Sequence, residues 1–237
     1  MSSQRAETFA VPQAYALGVA LNDHERALLA TACAAVPPPA KPPAIGTDAD
    51  YPDYITNLLL TVLDLQLRNV TVNNAIEHYR QKRRDEVRTL ADLEGVLERF
   101  PDDAEGNRAA AKYLWGNGYG NRIGWLRGFV RWVREQNLTD QERLRTWAHA
   151  SDYRRDFAGH VQWLGPAAYS WLVMRLGVDT VKPDMWLHTF VKRVLGRDLD
   201  DLQLVEAVTR AAHSVGRQVR ELDAGIWESE RGGPGTI

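Results

Sequence analysis

The sequence predicts an all-α fold, and three observations support this prediction. Apolar residues recur at intervals of three and four from Asp50 to Glu228, which places them on one face of a helix. Clusters of glycine, proline, asparagine and aspartate interrupt this pattern at intervals that suit single helices. No stretch combines strict alternation with the short turn of a β-hairpin. The breaks lie at residues 100–103, 116–120, 137–140, 165–166 and 177–183.

The N-terminal part is predicted to form a helix that is separate from the rest. The stretch LNDHERALLATACAAV, Leu21 to Val36, is rich in alanine, and Asn22 or Asp23 is suited to cap it. PPPAKPP, Pro37 to Pro43, has the composition of a stiff polyproline linker that detaches this helix from the remainder of the chain. We therefore expect a helical extension over 1–36, a linker over 37–46, a helical core over 47–228 and a flexible tail over 229–237.

Two clusters of basic residues occur on predicted helices. In NRIGWLRGFVRWVRE, the side chains of Arg127, Arg131 and Arg134 fall within about 60° of one another on a helical wheel, opposite an apolar face. These guanidinium groups either face solvent or contact phosphates, and the sequence leaves both interpretations open. RQKRR, Arg80 to Arg84, ends a helix that begins near Val72, where the helix dipole favours cations whatever they bind.

The stretch GNGYGNR, Gly116 to Arg122, resembles a phosphate-cradling loop because glycines surround Tyr119. A dinucleotide-binding loop of this kind comes after a strand, and no strand is predicted here. The stretch is therefore interpreted as a flexible turn before the arginine-rich helix. Tyr119 is retained as a candidate for the wall of a ligand pocket.

A helical hairpin is predicted over residues 154–177. Its first helix runs from Arg154 to Gln162, and its second, Ala167 to Leu176, comes after the breaker pair Gly165-Pro166. The unpaired backbone N–H groups in the first turn of the second helix, together with the positive end of its dipole, suit a phosphate oxygen. Such a contact depends on shape and charge rather than on base sequence.

Asp184 is an isolated carboxylate beyond this hairpin. Pro183 favours an extended conformation at Lys182 and leaves Asp184 as the N-cap of a helix from Met185 to Leu195, which Gly196 closes. Aspartate is among the best N-caps, so a purely structural role is one interpretation of this residue. A functional interpretation depends on the motifs around it.

Three stretches, in this order along the chain, resemble the helix-hairpin-helix DNA glycosylases of the endonuclease III superfamily. QLRNVTVNNA, Gln66 to Ala75, is similar to the family's Q-x-x-D-V-S-V-N-x-A segment. VKPD, Val181 to Asp184, matches its hydrophobic-x-x-Asp pattern after the hairpin. ELDAGIWE, Glu221 to Glu228, resembles the closing helix of a subset of the family. The resemblance covers about Tyr51 to Glu228.

The resemblance implies a two-lobed helical fold with a DNA-binding cleft between the lobes. It implies a glycosylase that flips a damaged or modified base out of duplex DNA and hydrolyses its N-glycosidic bond, for repair or for defence against modified foreign DNA. Asp184 would stabilise the cationic sugar and help the attacking water, and Gln66 would fill the gap left by the base. The other candidate DNA contacts are Gly165, Pro166, Ala167, Ala168, Arg127, Arg131 and Lys192, and the candidate base-pocket residues are Asn69, Tyr119, Trp163 and Trp186.

Two positions depart from the family's pattern. Ala167 stands where bifunctional members carry a catalytic lysine, so water is the expected nucleophile, and an abasic site without strand cleavage is the expected product. Trp163 replaces the first glycine of the hairpin, where the backbone approaches a phosphate or a monovalent cation. Lys182 shares one face of its extended segment with Asp184, so it is either a second catalytic candidate or a solvated, phosphate-binding lysine.

No metal or organic cofactor is expected. Cys33 is the only cysteine, which excludes the four-cysteine iron–sulfur cluster that many relatives carry. The six histidines have no metal-ligand spacing with acidic or cysteine partners. A monovalent cation at the hairpin backbone is the ion that the resemblance implies.

Composition bears on location and partners more than on activity. No run of 18 apolar residues and no secretory pattern occurs, so we expect a cytoplasmic, nucleoid-associated monomer that binds double-stranded DNA and no membrane. The net charge of −2 argues mildly against a protein that coats nucleic acid. Two other classes stay open: a non-catalytic module that binds abasic or distorted DNA, and a protein that binds a protein partner through its tryptophans and N-terminal helix.

Overall fold

The computed structural model describes residues 21–40 and 53–232, and within these ranges the regular structure is entirely helical. The prediction of an all-α fold is therefore confirmed for this part of the chain. The helices are α1 (Asp23–Ala35), α2 (Tyr54–Leu63), α3 (Asn69–Lys82), α4 (Leu90–Glu98), α5 (Ala104–Trp115), α6 (Gly120–Glu135), α7 (Gln141–Ala150), a π-helical turn (Tyr153–Phe157), α8 (Pro166–Arg175), α9 (Met185–Leu195), α10 (Asp201–Ser214) and α11 (Val219–Gly232).

Short polar side chains set most of the helix starts. Asn22 caps α1 in a reciprocal capping box with Glu25, and Asp184 caps α9 through two backbone N–H groups. Gly196 closes α9 in the left-handed conformation at φ 70°. The same capping interaction opens α2, α4, α5, α7 and α10 through Asp53, Thr89, Asp103, Asp140 and Asp200. The helix bounds confirm the predicted breaks. These breaks could be predicted because caps are local signals.

The helices pack as two groups that share one hydrophobic core. We call α2 to α8 the central group, in which α6 packs against α2, α4 and α5, and α8 packs against α2 and α7. We call α1 and α9 to α11 the terminal group, in which α1 packs against α9 and α10, and α11 packs against α9 and α10. Helix α8 also contacts α10, so the hairpin region joins the two groups.

Buried polar contacts fix α8 to α2. Arg175, at the end of α8, donates from Nε to Asn57 Oδ1 at 3.1 Å and from Nη2 to Thr61 Oγ1 at 2.7 Å. Burial lowers the pKa of this guanidinium to about 9. The hydrogen bonds compensate for part of the cost of placing a cation in the core, and they orient the second helix of the hairpin.

Helix α1 is part of the terminal group, contrary to the expectation of a detached extension. Its Leu29 and Cys33 side chains are buried against the core, and Glu25 pairs with Arg197 at 2.7 Å. The chain then passes over α11, where Pro37 O would lie 2.5 Å from a Cβ at Gly225. A polyproline segment specifies stiffness, but the apolar face of the preceding helix determined where that helix packs.

The first arm of the predicted hairpin is not an α-helix. A single π-helical turn, Tyr153–Phe157, replaces the helix expected over 154–162. Asp152 accepts hydrogen bonds from two backbone N–H groups of this turn, and Asp156 accepts one from the N–H of Asp152. Gly159 then adopts φ 78°. Asp152 is thus an N-cap of the same kind as Asp184, and the turn ends where Ala158 leaves the helical conformation at ψ 126°.

An aromatic cluster supports the hairpin from below. Phe157 lies 5.1 Å from Trp132 and 5.5 Å from Tyr169, measured between ring centroids, mostly at steep angles. Trp147 contacts both Trp132 and Tyr169 edge to face. Such packing fixes the base of the hairpin although its first arm is short.

Part of the predicted linker and tail lies outside the described residues. Residues 41–46 of the linker and 233–237 of the tail belong to this portion of the chain, as do residues 1–20. Helix α11 continues to Gly232, so residues 229–232 are helical and the expected start of the tail was wrong. The last turn of α11 is favoured by the stacking of Arg231 on Trp227 at 4.2 Å.

Candidate active site

A large cleft collects most of the side chains that the sequence singled out. Its volume is about 1170 Å³, above the roughly 300–1,000 Å³ of common small-molecule sites. Its walls come from the end of α2, the starts of α3 and α6, the hairpin, the loop before α9, and α11. The lining includes Asp64, Gln66, Asn69, Arg122, Trp125, Trp163, Gly165, Pro166, Ala167, Ala168, Trp171, Lys182, Asp184, Trp186, Asp223 and Trp227.

Asp184 combines a structural role with an open position. Its Oδ1 accepts hydrogen bonds from the backbone N–H groups of Trp186 at 2.9 Å and Leu187 at 3.2 Å. Within residues 21–40 and 53–232, no donor bonds to Oδ2, and the residue is partly exposed in the cleft. One oxygen therefore fixes the side chain at the positive end of α9, and the other is available to a ligand.

Helix α11 holds the loop that carries Asp184. Asp179 in this loop caps α11 by accepting from the N–H groups of Val219 at 3.2 Å and Arg220 at 2.9 Å. Further along, the backbone N–H of Lys182 donates to Asp223 Oδ1 at 3.2 Å. These contacts fix the loop at two points, which limits movement of the Asp184 carboxylate.

Asp223 is a second carboxyl group in the cleft, and no sequence motif singled it out as a site residue. Burial, together with the nearby charge of Asp184, raises the pKa of Asp223 to about 7. At neutral pH the Asp223 carboxyl group is therefore a mixture of its protonated and ionised forms. The ELDAGIWE stretch contains Asp223, but only the packing of α11 against the Asp184 loop reveals its surroundings.

Lys182 forms an ion pair inside the cleft wall. Its Nζ lies 3.2 Å from Asp64 Oδ2, and both side chains are 17% exposed. The same Nζ lies 5.0 Å from the centre of the Trp171 ring. Lys182 and Asp184 both line the cleft, and Lys182 is paired there with a carboxylate.

The second helix of the hairpin begins at the cleft without a side-chain cap. Gly165 is the N-cap of α8, Pro166 occupies the first turn, and no side chain in the described ranges caps the N–H groups there. Ala167 and Ala168 line the cleft next to them. A helix start of this kind offers backbone donors and a positive dipole end to an anion, and Ala167 supplies no amine.

Gln66 and Asn69 also line the cleft. Gln66 is exposed and adopts φ 60°, which places it in a tight turn between α2 and α3. Asn69 is the first residue of α3 and is also exposed. Both side chains therefore reach the opening of the cleft.

Tryptophans form much of the remaining surface. The cleft contains Trp125, Trp163, Trp171, Trp186 and Trp227, whereas Trp115 and Trp132 are buried in the core. Flat aromatic faces next to carboxylates suit a planar, polar ring system. Most of the tryptophans thus line the cleft, and amino-acid composition alone could not predict this placement.

Four predicted site residues lie outside the cleft lining. Arg127 is turned toward the segment before α5, where it donates to Asn107 Oδ1 at 2.9 Å and Phe100 O at 2.7 Å. Lys192 pairs with Asp198 at 2.9 Å, and Arg131 and Tyr119 are exposed on the surface. A helical wheel gives the direction of a side chain but not the loop that packs against it, which is why Arg127 is engaged within the protein.

Two other classes of site have no counterpart in residues 21–40 and 53–232. These residues contain no group of three or more histidine, cysteine or acidic side chains close enough to hold a metal ion. In the same ranges, each helix is too short or too polar to cross a membrane.

Comparisons with known proteins give one match. The model of a family described as a domain of unknown function (DUF8548) matches residues 159–231, from the hairpin to the end of α11. No curated protein and no solved structure matches the chain. The matched segment is less than a third of the chain, and it contains both cleft carboxyl groups, Asp184 and Asp223.

Proposed function

We propose that this protein is a monofunctional DNA glycosylase that flips a damaged or modified base out of duplex DNA, hydrolyses its N-glycosidic bond and leaves an abasic site. The observation that carries the proposal is the open oxygen of Asp184. It faces a cleft whose lining also includes Gln66 and the uncapped start of α8.

The two-lobed glycosylase arrangement is part of this proposal. The central and terminal groups would be the lobes, and duplex DNA would lie across the cleft between them. The N–H groups at the start of α8 would contact a phosphate of the strand that carries the target base, and the family resemblance adds a monovalent cation at the same backbone. Such backbone contacts are consistent with a protein whose net charge is −2, because they need no basic surface.

Base flipping provides access to the glycosidic bond. A base inside the stack cannot be attacked, so the nucleotide must rotate out at a cost of about a few kcal/mol. Gln66, exposed at the rim on a tight turn, would occupy the vacated space. The extruded base would enter the cleft between tryptophan faces such as Trp186.

The chemistry assigns different roles to the two carboxyl groups. As the bond between C1′ and the base nitrogen breaks, its electron pair leaves with the base and positive charge develops on the sugar. Asp184 would stabilise this charge, orient the water whose oxygen bonds to C1′, and accept the proton that water loses. Asp223, about half protonated at neutral pH because of its raised pKa, would supply the proton that the departing base needs.

The absence of lyase activity is a further part of the proposal. Ala167 replaces the catalytic lysine of bifunctional members, and Lys182 is paired with Asp64. A covalent imine between an amine and the opened sugar is therefore not expected. The products would be a free base and an intact strand with an abasic site.

The test is alkali-dependent cleavage of labelled duplexes. Each duplex carries one uracil, hypoxanthine, 8-oxoguanine or alkylated purine, and DNA from phages with modified bases forms a further arm. Wild type is compared with Asp184→Asn, because asparagine caps a helix as well as aspartate does and so preserves α9. We expect base release by wild type and a loss of about 100- to 1,000-fold in the variant, the typical cost of removing one electrostatic stabiliser.

Controls separate the competing outcomes. Asp198→Asn, on an exposed carboxylate outside the cleft, should leave base release unchanged. Samples kept free of alkali should stay intact, and borohydride should trap no adduct. If no duplex releases a base while wild type and Asp184→Asn bind an abasic duplex equally tightly, the protein is a binding module and not a glycosylase.

A further inference from the structure

Two residues with positive φ line the cleft. Gln66, Asn137 and Trp163 are the non-glycine residues with positive φ in the described ranges, and two of them line the cleft. Trp163 has φ 72°, a conformation that disfavours any residue with a Cβ. Strained backbone persists where the surroundings impose it, and it concentrates at functional sites.

Burial does not account for Trp163. Its side chain is 67% exposed, the largest exposed fraction among the big apolar residues that the structure describes at the surface. One side of the ring packs against Trp125, with the centroids 6.4 Å apart and the planes inclined by 25°. The rest of the indole faces the cleft and solvent.

A column of side chains supports this indole and reaches Gln66. Beneath Trp125 lies the guanidinium of Arg122, with Cζ 4.0 Å from the ring centre. Arg122 Nη2 donates to the backbone carbonyl of Leu65, the residue before Gln66. We call Leu65, Arg122, Trp125 and Trp163 the tryptophan column. It connects the turn that presents Gln66 to the tip of the hairpin.

Arg122, like Arg175, is a buried cation that forms no ion pair with a carboxylate among the described residues. It is 4% exposed, and its Nε and Nη1 have no hydrogen-bond partner within the described part of the chain. Burying a cation is unfavourable, so a favourable interaction must offset part of its free-energy cost. Stacking against an aromatic face provides one, and this stacking orients Trp125 under Trp163.

We propose that Trp163 is a base-stacking residue that packs its exposed face against a nucleobase beside the position vacated by the flipped nucleotide. Gln66 and Trp163, which both line the cleft, then hold the opened duplex together. The ligand class is the π-face of an unstacked nucleobase, which aromatic side chains bind without regard to base identity. This inference rests on the proposed function, because it needs duplex DNA in the cleft.

The alternative is that Trp163 only anchors the hairpin through Trp125. Replacement by glycine separates the two roles, since glycine accepts positive φ without strain. An anchor that is lost should lower the melting temperature. A stacking residue that is removed should leave it unchanged or raise it by about 2 °C, the shift expected when modest strain is relieved in a chain of this size.

The experiment measures binding to a duplex with one tetrahydrofuran residue, a stable abasic analogue, and to the same duplex without it. Wild type is compared with Trp163→Gly, Trp163→Leu and Trp163→Phe, and Leu28→Ala on exposed α1 surface serves as the control. We expect Kd for the abasic duplex to rise about 10-fold or more for the glycine and leucine variants. Phenylalanine should restore most of the affinity because it retains an aromatic face.

Contact is tested directly with 5-iodouracil beside the tetrahydrofuran. Irradiation should crosslink the base to the peptide that contains Trp163 in wild type and not in Trp163→Leu. Equal binding by wild type and Trp163→Gly, with no crosslink, would overturn this inference and leave the proposed function standing. If wild type binds neither duplex, the proposed function fails, and the inference fails with it.

Discussion

Replacing Asp223 with asparagine should stabilise the protein at and above neutral pH. The neutral amide has nearly the shape of the carboxyl group, and its oxygen can still accept the hydrogen bond from the Lys182 backbone. What the substitution removes is a charge that is unfavourable in a buried position near Asp184. The test therefore measures the free energy of unfolding and does not depend on any reaction.

The magnitude is set by the difference in pKa between the folded and unfolded states. Asp223 has a pKa of about 7 in the folded protein, and an unfolded aspartate has one near about 3.9. Because the folded state holds its proton more tightly, stability is greatest below pH ~4 and falls as the pH rises to about 7. At about 1.4 kcal/mol per pH unit, the loss approaches ~4 kcal/mol. This is an upper limit, since the side chain is partly accessible to water in the cleft.

Urea unfolding at pH values from 5 to 9 measures this difference. The advantage of Asp223→Asn over wild type should be at most about 1.5 kcal/mol at pH 5, grow through pH 7 and level off above pH 8. Asp85→Asn, on a fully exposed carboxylate, should show no such trend. A difference between Asp223→Asn and wild type that stays constant from pH 5 to pH 9 would refute the raised pKa of Asp223.

Two further predictions concern the cleft wall and helix α1. Lys182→Met should lower the free energy of unfolding by roughly 3 kcal/mol in urea unfolding, because it leaves the mostly buried Asp64 carboxylate without its cation. The double variant Lys182→Met, Asp64→Leu should recover most of this loss. If the losses of the two single variants simply add, the pairing is contradicted. Cys33 should resist alkylation by iodoacetamide until the protein unfolds, since α1 packs on the core and burial raises the pKa of the thiol to about 12. If Cys33 in the native protein is alkylated as fast as a free thiol, α1 is detached from the core.

The helix boundaries could be predicted because their causes are local. Asp184 caps α9 and Gly196 closes it as the sequence indicated, and Asn22 opens α1 in the same manner. Each of these signals acts over three or four residues. The prediction was wrong for the first arm of the hairpin, where a π-helical turn, Tyr153–Phe157, ends at Ala158 and Gly159 and does not continue to Gln162.

The convergence of Asp184, Lys182, Gln66 and the hairpin on one cleft was expected only from the family resemblance, and the fold of this chain brings them together. Arg127 was misplaced because its orientation depends on the segment before α5, which approaches from more than 20 residues away in sequence. The basic cluster on α6 therefore does not form a surface for phosphate contacts as a unit. Periodicity indicates which face of a helix is polar, but not what packs against that face.

Asp223 and Trp163 show why the composition of a site cannot be derived from motifs alone. The pKa of Asp223 depends on α11 packing against a loop that lies more than 30 residues earlier, so no local pattern marks it as an acid. Trp163 departs from the hairpin motif, and its role depends on Arg122 and Trp125, which belong to another helix. A tryptophan in place of a glycine is costly at positive φ, and the column beneath it supplies the support that keeps it there. The position where the sequence breaks the motif is thus the position where this cleft gains a surface that the motif does not provide.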